Sequence, residues 1–133
     1  MLPRLIPLLG ASAALRRVHV DWAWLMIASN ALAGAWALGA HRWERLRHRS
    51  LWVFTTIAQL TVFVQVILGV ILIQGRDKKP YDFHMLYGFS AMAAVGIIYS
   101  YRAQLKPHLY LLYGGGGLFI MGLGLRALAV GPH

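Results

Sequence analysis

Two histidines stand at thresholds in this chain. His19 opens one long apolar run, and His84 follows the charged stretch GRDKKPYDF and opens another. On a helix, the residues four and seven places on share a face with each of them: Gly88 and Ala91 below His84, Ala23 and Met26 below His19. A small residue one turn beneath an imidazole leaves a groove. A flat macrocycle held between two imidazoles would need such a groove, so the chemistry this pattern suits is axial ligation of one haem iron by His19 and His84. Other runs pass the same depth, bringing Gln65 and Gly69 from one and Gly122, Gly124 and Arg126 from another. A lone Arg inside an apolar span costs roughly 2.5–3.5 kcal/mol on insertion scales. Arg126 therefore needs a route to the interface, a partner such as Asp21 or Asp82, or an acidic ligand group such as a haem propionate.

Each of these residues also has a simpler reading. A histidine at a membrane boundary is more often interfacial than a ligand, and a buried Gln such as Gln65 more often joins two helices, at about 0.6 kcal/mol. The same holds for Thr55, Thr56, Gln59 and Asn30. His41, His48 and His108 lie in basic connectors and are expected to be solvated. The methionines read as packing or lipid-facing residues rather than axial ligands. No Ser-His-Asp set can be assembled, and the four acids (Asp21, Glu44, Asp77, Asp82) all lie near connectors. Hydrolysis and ion transport, which needs ionisable groups at mid-membrane, are therefore not expected, nor is an enzyme activity of the chain alone.

The elements that must position these residues follow from composition. Of 133 residues, 59% are hydrophobic, 13 are basic and 4 acidic. A water-soluble domain of this size needs more polar surface, so lipid is the expected solvent. A net charge of +9 can mark a nucleic-acid binder, but here the basic residues sit in short segments between apolar runs, as in membrane proteins. No nucleic-acid partner is expected. Cys is absent, which removes disulfides, thiolate metal sites and iron–sulfur clusters.

A bilayer core of about 30 Å takes roughly 20 apolar residues in a helix. Four stretches qualify, at about 20–40, 51–73, 84–101 and 109–130. The expected fold is all-α: a polytopic membrane protein whose short connections give an up-down four-helix bundle, one domain over 19–133. Residues 1–18, with Pro3 and Pro7, read as an interfacial lead-in. Trp22, Trp24, Trp43, Trp52, Tyr81, Phe83, Tyr99, Tyr101, Tyr110 and Tyr113 fall at span ends as aromatic anchors. The run YGGGGLFIMGLG lacks the strand and Lys-Ser/Thr of a phosphate loop. Its glycines suit close helix packing, with local bending where four successive glycines weaken the helix. Ala31, Ala35 and Gly39 form a second small stripe. The halves HRWERLRHRSL…QVILGVILIQG and YRAQLKPHLYL…IMGLGLRALAVG suggest a repeated hairpin. Six basic residues fall on each side, so the count does not orient the chain. The dense RWERLRHR connector favours that side as cytoplasmic, with both termini outside.

Gln65, Leu68 and Gly69 late in one span, a short outer loop, and His84 at the start of the next together resemble one half of haem A synthase, with His19 in place of the first histidine. The resemblance runs over roughly residues 19–90 and implies a four-helix bundle in a bacterial cytoplasmic membrane whose histidine pair can hold haem b near the outer surface. His19 lies in RRVHVDW, without that family's acidic residue and His-Arg pair, and the chain corresponds to a single half. The implied function is thus a haem-b-holding bundle, or a haem-free descendant, rather than haem A synthesis. Electron transfer within a larger membrane assembly is the first expectation. A haem-free accessory subunit packing against other membrane proteins is the second, with no cofactor at all. A chain this small has almost no mass outside the bilayer, so both imply partner subunits.

Overall fold

The computed structural model describes residues 2–74 and 82–130, with side chains at 13–72 and 83–130. Four α-helices account for nearly all of it: α1 (Leu2–Arg42), α2 (Arg49–Gln74), α3 (Asp82–Tyr101) and α4 (Leu109–Ala129). A 3-10 turn at Glu44–Leu46 links α1 to α2, and another at Lys106–His108 leads into α4. Each helix, α4 together with the 3-10 turn before it, supplies a stretch long and apolar enough to cross a membrane, namely Ala13–Arg42, Arg49–Leu72, Phe83–Ser100 and Lys106–Ala129. The shortest, 18 residues, rises about 27 Å, close to the hydrocarbon thickness. The chain is an all-α integral membrane protein.

The first span starts earlier than its expected boundary near Val20. No Gly or Pro interrupts residues 11–33, and Arg16 and Arg17 are good helix formers, so the helix runs unbroken through them. The side chains of residues 1–12 and the aromatic anchor expected at Tyr81 lie outside the described residues.

Neighbours in sequence are neighbours in space, and α1 and α4 close the ring with the most extensive packing of any pair. The α2–α3 seam is the loosest. The α1 and α3 backbones do not approach each other, so these two helices occupy opposite corners.

Glycines decide the tight α1–α4 seam. A Cβ on Gly34 would lie 2.9 Å from both the Gly114 carbonyl oxygen and the Leu118 nitrogen. One on Gly114 would strike the Leu38 side chain at 2.6 Å. The four-glycine run therefore allows close contact between the two helices, and α4 continues through it as helix. The small stripe on α1 that packs is Ala33, Gly34, Ala37 and Ala40, all buried, whereas Ala35 of the expected Ala31/Ala35/Gly39 stripe is exposed. A spacing of four drifts round a 3.6-residue turn, and the buried face follows the true period.

The core joins Met26 and Ile27 of α1 to Val62, Ala91, Val95, Ile98 and Ile120. Asn30, 1% exposed, donates to the Met26 carbonyl at 2.8 Å and across to the Ala58 carbonyl at 3.1 Å. Thr56 instead bonds within its own helix, to the Trp52 carbonyl, and Thr55 is buried with its hydroxyl unbonded among the described residues. Trp52, Tyr110 and Tyr113 cluster with ring centroids 5.2–5.4 Å apart around Trp52, so these three expected anchors pack inside the bundle's end. Trp24, Trp43, Phe83, Tyr99 and Tyr101 are exposed. On α2, Val53, Ile57, Leu60, Val64, Ile67 and Ile71 form an exposed apolar stripe. An apolar face turned outward is what lipid, not water, accommodates.

Candidate functional site

His19 on α1 and His84 on α3 reach toward each other from the opposite corners of the bundle. Their ring centroids are 6.0 Å apart and their planes lie at 76°. The His84 Nδ1 lies 2.7 Å from the Ala127 carbonyl oxygen of α4. A carbonyl only accepts, so Nδ1 carries the proton and donates it, leaving a lone pair on Nε2. Metal-binding histidines are commonly oriented in this way, with the far nitrogen held by a backbone carbonyl.

The His19 layer is tied down from α2. Gln65, 9% exposed, donates through Nε2 to the His19 backbone carbonyl at 2.8 Å. One turn on, Gly69 faces the ring itself: a Cβ there would sit 3.3 Å from His19 Cε1 and 3.8 Å from Nε2. Gly69 thus lets the imidazole lie against the α2 backbone. Gly88, one turn below His84, has open space where its Cβ would be.

These residues enclose a cavity of about 150 Å³ lined by all four helices. His19, His84, Gln65, Gly69 and Gly88 all line it, as do Ala23, Met26 and Ala91 below the histidines. The cavity therefore extends beneath the imidazoles, past the residues one turn below each of them. Arg126 is not part of the wall. It is exposed, and its guanidinium lies 6.0 Å from the Tyr87 ring centroid, at the outer limit of a cation–π contact. It makes no ion pair among the described residues. On α4, Gly124 packs against Met26 and Ile27, while Gly122 faces open space. His41, His48 and His108 are exposed at the other end of the bundle.

Three contributors had not been singled out from the sequence. Arg16 lies at the cavity rim, three residues before His19 and so on its face; Tyr87 lies three residues after His84. Both follow from helical spacing. The Ala127 carbonyl does not, because any residue supplies one.

The chemistry of the donor set can be tested on its spacing. A metal–imidazole bond of about 2.0 Å on each side, plus about 1.1 Å from nitrogen to ring centre, puts two opposed imidazoles about 6.2 Å apart. The observed 6.0 Å falls in this range and equally in that of an edge-to-face ring pair, the arrangement in which the two rings stand, at 76°. No group of three or more His, Asp or Glu side chains placed to hold a metal ion occurs among the described residues. Two imidazoles alone do not complete a tetrahedral zinc site. They suit a metal that brings its equatorial ligands with it, as a porphyrin iron does. Comparison with known protein families, curated proteins and solved structures finds no match to this chain.

Proposed function

We propose that this protein is a small subunit of a larger redox assembly in a bacterial cytoplasmic membrane, holding one b-type haem between His19 and His84. The observation that carries the reading is the imidazole pair: two rings from opposite corners of the bundle, 6.0 Å apart, one of them pinned through Nδ1 to the Ala127 carbonyl. His19 and His84 are the residues that would hold the haem iron. Gln65 and Gly69 fix the position of the His19 segment, and the Ala127 carbonyl sets the orientation of His84. Ala23, Met26 and Ala91 wall the site with apolar surface. Haem held by two imidazoles is six-coordinate and supplies one-electron transfer rather than oxygen activation. His19 early in α1 and Ala127 late in α4 lie in one layer, and the Arg-rich connector after α1 favours the opposite side as cytoplasmic.

A second reading is favoured by one observation. A cavity of about 150 Å³ is smaller than the roughly 300–1,000 Å³ of ordinary ligand pockets. A haem-free accessory subunit, packing on larger membrane proteins through its exposed apolar faces, would need no more room.

The absorption spectrum of the purified protein separates the two. Reduced with dithionite, the protein should have a sharp haem α-band that is lost in His84→Ala. A colourless, iron-free, monodisperse preparation would leave the accessory role.

A further inference from the structure

We propose that the cavity selects ligands that join an apolar body to an anionic head, with Arg16 as the counter-charge. Among the described lining residues Arg16 is the one that carries a fixed charge, and none is a carboxylate. The other donors there are engaged, Gln65 Nε2 at the His19 carbonyl and His84 Nδ1 at the Ala127 carbonyl, while Gln65 Oε1, buried without a partner among the described residues, can only accept and offers an anion nothing. Arg16 stands at i−3 from His19, one turn outward on the same face, and is exposed at the rim. It forms no ion pair or hydrogen bond with another described residue. The nearest acid on its helix, Asp21, is five residues on and points to another face. A planar guanidinium above an apolar cavity matches a carboxylate, which it can grip with two parallel hydrogen bonds. Arg126, a second described cation on a helix that lines the cavity, lies outside the wall beside Tyr87. For a porphyrin, whose propionates are such heads, the inference rests on the haem reading; for any other amphiphile it does not.

The test uses the full chain in nanodiscs of zwitterionic lipid, as wild type, Arg16→Gln and Arg126→Gln. Two matched probe pairs are titrated: haemin against its dimethyl ester by absorption, and parinaric acid against parinaryl alcohol by fluorescence. Wild type should prefer the acid of each pair that binds by about tenfold. Arg16→Gln should lose that preference, and Arg126→Gln should keep it. If neither porphyrin binds while the fatty pair retains the preference, the haem reading fails and the Arg16 assignment stands. The assignment is overturned if wild type prefers no acid, or if Arg16→Gln discriminates as well as wild type does.

Discussion

Gly34 of α1 and Gly117 of α4 meet backbone to backbone: a Cβ on Gly117 would lie 2.8 Å from the Gly34 Cα and 2.9 Å from the Asn30 carbonyl oxygen. This contact sets how closely the two most extensively packed helices approach. Gly117→Ala should therefore force them apart, costing about 1–3 kcal/mol as overpacking does. Gly115→Ala, whose Cβ would enter open space, should instead stabilise by up to about 1 kcal/mol through helix propensity. Unfolding in mixed micelles compares them. Equal effects of the two substitutions would mean that the seam is not a backbone contact.

Asn30 holds α1 to α2 through the Ala58 carbonyl. Asn30→Leu removes that link and places a branched side chain in a site 1% exposed. A loss of about 1–2 kcal/mol is expected, from an interhelical bond of about 0.6 kcal/mol and some overpacking. The same unfolding assay reads it, and an unchanged midpoint would argue against the link.

Arg47 closes the end of α1. Its Nε donates to the Ala40 carbonyl at 2.7 Å and its Nη2 to the His41 carbonyl at 2.9 Å, carbonyls that the ending helix leaves unbonded. Arg47→Lys cannot reproduce both bonds and should lose most of what Arg47→Ala loses, about 1–2 kcal/mol. Glu44→Ala should change little, because its 4.0 Å pair with Arg47 is on the surface. A Glu44→Ala effect as large as that of Arg47→Ala would assign the role to the ion pair.

Gly69 and Gly88 both line the cavity but differ in what a methyl would meet. At Gly69 it would press on His19 Cε1 at 3.3 Å; at Gly88 it would meet nothing within 4 Å. Gly69→Leu should abolish haem retention while leaving the bundle folded by circular dichroism, and Gly88→Ala should retain haem. Retention by Gly69→Leu would place the bound group away from the His19 ring.

The four spans were legible because lipid demands about 20 apolar residues and tolerates few charges, a signal that averages over whole helices. The histidine layer was legible for a related reason. His19 and His84 open spans running the same way, so equal depth follows from topology, and Gly69, Gly88, Ala23 and Ala91 follow from helical spacing. Arg126 reads differently because depth does not fix azimuth: the residue sits at the right level but faces outward beside Tyr87. Arg16 is one helical step from His19, but the adjacent pair Arg16 and Arg17 lowers the hydropathy there and sets the expected span boundary after them. The Ala127 carbonyl left no mark in the sequence, since backbone groups are common to all residues. The glycines of α4 pointed to close packing, but which α1 residues they meet depends on the rotation of α1, which an apolar helix does not encode in its pattern.

The central claim is that His19 and His84 ligate the same iron. Electron paramagnetic resonance of the oxidised protein addresses it most directly, because ligand number sets the ferric spin state. The account predicts a low-spin, six-coordinate signal in wild type that becomes high-spin in His19→Ala and likewise in His84→Ala. An iron-free wild type, or a low-spin signal that survives either substitution, would contradict it.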